Sequence, residues 1–140
     1  MGEWTAEDTD DGAFEKFLLG LPEYEQAVLV AAVEHVLERL GIDICQSEWG
    51  KALGDGLYEF RVRRSLQAIL SEAKMPLPSK VGGTDRPVLL RVFCTFHGQR
   101  AVLLLGGYDK GKDGSTRRQQ GEIKRARKRL KTWRANRKKR

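Results

Sequence analysis

The stretch that most constrains the fold is Val88–Lys112, where two apolar β-type runs meet across a short turn and end in a polar cluster. The first run, Val88–Phe96, is rich in branched and aromatic residues, and the second, Ala101–Leu105, is almost wholly aliphatic. Between them His97-Gly98-Gln99-Arg100 supplies a glycine for the positive φ of a tight turn. Both faces are mostly apolar, so the pair is expected at the centre of a sheet. Arg91 shares a face with Leu89, Phe93 and Thr95, and a guanidinium there needs a carboxylate, a sheet edge or a bound anion. Gly106-Gly107 lets the chain bend, and Tyr108-Asp109-Lys110-Gly111-Lys112 follows at the strand end, a good position for anion-binding or proton-transferring groups.

Upstream, Leu57–Arg63 alternates as a strand. Leu57, Glu59, Arg61 and Arg63 form a face expected to be charged, and Tyr58, Phe60 and Val62 a buried one. The Glu59, Arg61 and Arg63 row reads either as a solvated surface or, beside Arg91, as a phosphate-binding floor. Strand register decides between these, and alternation alone leaves it open.

The remaining segments read mainly as helices. Gly2–Thr9 is either a short first strand or unstructured. Asp10 or Asp11 is the expected N-cap of a helix carrying Phe14, Phe17, Leu18 and Leu21. Pro22 separates it from Glu23–Leu40, whose stripe runs through Leu29, Val33, Val36, Leu37 and Leu40 up to Gly41. Together these predict an antiparallel helical hairpin. Gly41–Asp55 reads as a loop anchored by Trp49 and closed by Gly54-Asp55-Gly56. Ser65–Pro87 is long for a connection between strands and reads as an insertion with one or two helical turns. In Ser115–Arg140, Ile123, Ala126, Leu130 and Trp133 fall on one helix face, with Ser115 or Thr116 as cap, and the other faces are almost entirely Arg and Lys.

Charge sharpens this picture. Residues 1–60 hold 14 acidic and 3 basic side chains, whereas residues 117–140 hold 13 basic and 1 acidic. The basic end is expected to meet a polyanion, nucleic acid before anionic membrane. Candidate RNA-binding cations are Arg63, Lys112, Lys124, Arg127, Lys128, Lys131 and Arg134. Cys45 and Cys94 have no metal-ligand spacing, and the strand residue Cys94 reads as a buried inert thiol. His35 reads as structural. The acidic N-terminus lacks the apolar core of a secretory signal, and no apolar run is long enough to span a bilayer, so a cytoplasmic protein is expected. No metal cluster, nucleotide-binding glycine loop or Ser/Cys-His pair is apparent, so no metal and no small-molecule cofactor is expected.

The ordered set Leu57–Val62, Leu89–Phe93, Leu103–Lys112 and Glu122–Leu130 resembles the phage-derived, HigB-like branch of the RelE/ParE toxin superfamily, over roughly residues 14–130. The resemblance implies a RelE-like α+β domain over residues 1–134, with an insertion at 65–87 and a basic tail at 135–140. Its elements would be an N-terminal helical hairpin, a twisted antiparallel sheet of three to four strands and a basic C-terminal helix. It further implies the toxin of a type II toxin–antitoxin pair, a metal-independent endoribonuclease cutting messenger RNA, commonly on the ribosome, with a helix-turn-helix antitoxin as partner. Catalytic candidates on the matching positions are Arg61, Arg91, Tyr108, Asp109 and Lys110, with Glu59 a lesser proton carrier. HigB-like toxins have an acid followed by a tyrosine near this strand end, whereas here Tyr108 precedes Asp109, so their individual roles stay open. The alternatives are a non-enzymatic toxin that poisons a topoisomerase and a basic nucleic-acid-binding module without cleavage.

Overall fold

The computed structural model describes residues 3–78 and 84–138. Residues 79–83 of the expected insertion and 139–140 of the tail lie outside the described residues. The elements in order are β1 Thr5–Asp8, α1 Ala13–Leu19, α2 Glu23–Ala32, a π-helical stretch Val33–Leu37, α3 Glu38–Leu40 and a 3-10 stretch Gly41–Gln46. Then come β2 Gly50–Gly54, β3 Leu57–Val62, α4 Leu66–Glu72, β4 Leu90–His97, β5 Ala101–Asp109 and α5 Thr116–Lys138. The fold is therefore α+β with a basic C-terminal helix, as expected.

The sheet departs from the expectation of three to four antiparallel strands. It has five, in the order β1-β5-β4-β3-β2. β1 runs parallel to β5, and the other pairs are antiparallel. Four residues of alternating exposure are too little signal to separate an edge strand from an unstructured end, and β1 exists because tertiary contacts hold it. Trp4 donates its backbone N–H to the Glu38 carbonyl, and Ala6 donates to the Glu38 carboxylate at 2.9 Å, which covers part of its outer edge. β2 replaces the expected loop, Trp49 is buried beside it, and its ring stacks on Phe60 at 5.8 Å.

The N-terminal helices also differ from a plain hairpin. α1 has seven residues and rests chiefly against β5, with less contact to α2. Neither Asp10 nor Asp11 caps it. Asp8, at the end of β1, accepts from the N–H groups of Phe14 and Glu15 at 3.0 and 2.9 Å, and Thr9 accepts from Ala13. The cap thus comes from the preceding strand and ties α1 to the sheet.

Two apolar clusters lie on opposite faces of the sheet. One holds α2, α4 and the inward residues Phe60, Val62, Leu90, Val92, Cys94, Val102 and Leu104. The other holds Leu57, Phe93, Leu103, Leu105 and Tyr108 with Ala126 and Leu130 of α5. Ile123 and Trp133 pack beside them, so the α5 stripe is the one the sequence spacing predicts. Burying Leu130 alone stabilises the docking by about 1.5–3 kcal/mol. In the segment 65–87 the expected helical turns are present as α4. Ser65 caps α4 by accepting from Ala68 at 3.1 Å, and the buried Tyr24 hydroxyl accepts from the N–H groups of Leu66 and Arg86 at 3.1 and 2.9 Å.

One irregularity in β5 positions everything that follows. Val92 pairs with Gly107 and Cys94 with Leu104, so Phe93 opposes both Leu105 and Gly106. Gly106 is the extra residue, with φ +97°. This bulge shifts the phase of β5 by one, so Tyr108 joins the face of Leu103 and Leu105, and Asp109 falls on the other. Its Cβ-free backbone also admits the Arg129 guanidinium, which donates to the Leu105 carbonyl at 3.1 Å. Gly106→Ala is expected to cost about 1–3 kcal/mol through the strained backbone alone. Urea denaturation checks this, and an unchanged midpoint would count against a required glycine.

Candidate functional site

The register of three strands brings the strongest candidates into one line. Arg61 of β3 pairs directly with Arg91 of β4, and Arg91 with Tyr108 of β5. All three lie on the sheet face that carries α5. Two guanidinium groups on directly opposite positions repel, by about 3 kcal/mol at ~5 Å in a partly screened site. Glu59, two residues before Arg61 on the same face, offsets this repulsion. It accepts from Arg61 Nε at 2.9 Å and lies 3.8 Å from Arg91 Nε. Of the two readings left open for this face of β3, a fully solvated surface does not hold: Leu57 and Glu59 are fully buried, Arg61 is partly exposed and only Arg63 at the strand end is open to solvent. Alternation was read correctly, but α5 covers the charged side as well.

Burial of the row is nearly complete. Arg91 is 3% exposed and Tyr108 1%, whereas the Arg61 side chain is 23% exposed. Among the described residues, Glu59 Oε2, Arg91 Nε and Nη1 and the Tyr108 hydroxyl are buried without a hydrogen-bond partner. Orphaned buried groups at such density are costly, and they are the usual mark of a site that takes water or a ligand. Burial pushes the Arg91 guanidinium down from its ordinary value, with Arg61 and Arg63 adding to the effect and Glu59 opposing it. Burial and the Glu59 charge push the Tyr108 phenol up, so it stays neutral and able to donate.

The first turns of α5 roof the row. The Arg118 guanidinium lies over the Tyr108 ring at 5.4 Å, and the Phe93 ring runs nearly parallel to that ring at 6.1 Å. Glu122 binds Arg118 at 2.7 Å and Arg125 at 3.3 Å. The sequence pattern does not point to Arg118, and it reaches Glu122 only as the first residue of the Glu122–Leu130 segment. Their i, i+4 spacing just after a strand end was the available signal, obscured by the many charges of the same helix.

The other candidates separate. Asp109 faces away from Tyr108, pairing with Leu90, and its carboxylate accepts from the Gly111 N–H at 2.9 Å in the turn that follows. Lys110 begins that turn, at the mouth of the strand end. Arg63 is exposed, donates to the Glu48 carbonyl at 3.1 Å, and stays close enough to act on the charge of Arg91. Arg127 donates to the carbonyls of Leu53 and Gly54, and Arg134 to that of Asp55, so both fasten α5 to the β2–β3 turn. Lys112, Lys124, Lys128 and Lys131 are exposed. Cys94 is fully buried and its thiol is pushed up by that burial, in keeping with an inert side chain. Among the described residues no group of three His, Cys, Asp or Glu side chains is placed to hold a metal ion.

Because burial raises the folded-state pKa of Tyr108 above that of an unfolded phenol, about 10, the stability it contributes is present below that pH and lost as pH rises through the folded value. Denaturation midpoints followed from pH 8 upward should therefore fall more steeply above about pH 10 in the wild type than in Tyr108→Phe. Identical alkaline slopes would contradict the assignment.

No family model, curated protein or solved structure matches this chain.

Proposed function

We propose that this chain is the toxin of a toxin–antitoxin pair and cleaves messenger RNA, on the ribosome, at the row formed by Arg61, Arg91 and Tyr108. The observation that supports this most is the surplus of positive charge in the row: two facing arginines, one carboxylate, and buried donors left without partners beside a neutral phenol. Such a site is suited to a phosphate on which negative charge builds up.

In the proposed metal-independent reaction the ribose 2′-oxygen attacks the adjacent phosphorus, the bond to the 5′-oxygen breaks, and a 2′,3′-cyclic phosphate and a 5′-hydroxyl result. Arg61 and Arg91 hold the phosphate oxygens as charge accumulates. Tyr108 donates the proton that the leaving 5′-oxygen takes up, since its raised pKa keeps the hydroxyl protonated. Glu59 orients both arginines through Oε1, and its Oε2, which has no hydrogen-bond partner among the described residues, takes the 2′-hydroxyl proton. Asp109 has no part in this scheme. Exposed lysines of α5 bind the RNA backbone. Arg61 is reached from solvent, and Arg91 and Tyr108 become accessible when the Arg118–Glu122 turn moves aside. A helix-turn-helix antitoxin and a cytoplasmic location belong to the same proposal.

The closed state of the row favours a second reading. Arg91 and Tyr108 buried under α5 suit a structural network, and the protein would then act by binding alone, as a topoisomerase poison or a nucleic-acid-binding module.

Primer extension on messages from a cell-free translation reaction separates the two. New cuts are expected in translated messages, reduced about 10²–10³-fold by Arg91→Ala and about 10²–10⁴-fold by Tyr108→Phe. Cuts in EDTA-treated free RNA would remove the ribosome from the proposal, and no cuts from a folded protein would favour binding alone. RNA affinity should fall steeply with salt, with the slope of log affinity against log salt lowered by about 1 for each of Lys128→Ala and Lys131→Ala. A salt-independent affinity would contradict a phosphate-binding α5.

A further inference from the structure

On the opposite face of the sheet from α5, a groove of about 390 Å³ runs between β1, α1 and α2. Its floor is apolar, with Phe14, Leu18, Val30 and Leu104 among its residues. Five acidic residues line it, Asp8, Glu15, Glu34 and Glu38 with Glu7, whose carboxylate is turned to His97 on the α5 face, and among the described residues no lysine or arginine does. Three of the five have internal work. Asp8 caps α1, Glu38 holds β1, and Glu7 pairs with His97. Glu15 and Glu34 are exposed on either side of the floor, and among the described residues Glu34 meets His35 at 4.0 Å and no lysine or arginine as closely. Val30 is 40% exposed and also lines a second groove, of about 490 Å³, which continues along α2 past Ala27 to Leu66 and Leu70.

We infer that this face docks a cationic amphipathic helix of a partner protein, its apolar side on the Val30 ridge and its lysines or arginines against Glu15 and Glu34. An apolar strip along a helix with a charged rim is the form that takes i, i+3, i+4 anchors, and the rim selects their flanks by charge. RNA is repelled by the same carboxylates, so the two faces of the sheet sort their partners by sign. A second copy of the chain has a basic amphipathic helix in α5, but its apolar stripe is already committed: Ala126 is 0% and Leu130 3% exposed in the second cluster. The occupant is therefore a different protein. This inference is independent of whether the arginine row cleaves RNA.

The test is fluorescence anisotropy with full-length protein and a labelled synthetic peptide bearing Leu at i, i+3, i+4 and i+7 and Lys elsewhere. A scrambled peptide of the same composition serves as control. The patterned peptide is expected to bind at least about tenfold more tightly than the scrambled one. Val30→Lys should weaken it by about tenfold or more. Glu15→Gln with Glu34→Gln should weaken it several-fold and flatten its salt dependence. Each variant alters an exposed side chain, and thermal melts matching the wild type establish that it is folded. Equal binding of both peptides, or unchanged binding by Val30→Lys, would overturn the inference. So would self-association of the wild type that Val30→Lys abolishes, since the occupant would then be a second copy.

Discussion

Two arginines face each other across β3 and β4 with one glutamate to share. The carboxylate neutralises half of the charge, and the rest remains under a helix that is itself strongly basic. Nothing in the apolar packing requires this: Leu57, Phe93, Leu103 and Leu105 already give α5 a surface to rest on. A row of buried charges is weak evidence of added stability, because desolvation cancels much of the attraction. Its presence among otherwise well-packed residues therefore calls for a use, and an anion is the ligand that its charge selects.

The bulge at Gly106 gives this row its third member. In a regular strand, the residue sharing a face with Leu103 and Leu105 beyond Gly107 would be Asp109, a second carboxylate beside the arginines. The bulge replaces it with Tyr108, whose neutral hydroxyl adds a proton donor and no charge. Arg129 of α5 holds the bulged carbonyl, Arg127 and Arg134 hold the β2–β3 turn, and Arg118 covers the phenol. Several of the cations on α5 thus connect helix to sheet, and Lys124, Lys128 and Lys131 are left exposed to solvent. Composition alone merges these two groups of cations into one.

Much of this was legible in the residues. The strand pair at 88–112, the β3 alternation, the α5 stripe and the grouping of Arg61, Arg91 and Tyr108 as candidates follow from periodicity and from the resemblance to RelE-like toxins. What escaped was set by tertiary contacts. A short first strand is one of two readings of residues 2–9, too short to be decided by pattern, and its parallel pairing with β5 depends on helices packed between them in sequence. The Asp8 cap was hidden because the capping residue belongs to a strand rather than to the residue before the helix. Register placed Arg61 opposite Arg91, and two adjacent glycines marked the bend without showing which residue bulged. The burial of the charged row needed knowledge of where α5 lands, which a stripe of four residues does not fix.

The Arg61, Arg91 and Tyr108 row is proposed to hold the phosphate at which RNA is cut. The most direct measurement is a crystal structure with an RNA blocked by 2′-O-methylation at the cut. A phosphate is expected within hydrogen-bonding distance of both arginines and of the Tyr108 hydroxyl, with the Arg118–Glu122 turn displaced. RNA lying along the α5 lysines with the row still closed beneath that turn would contradict it.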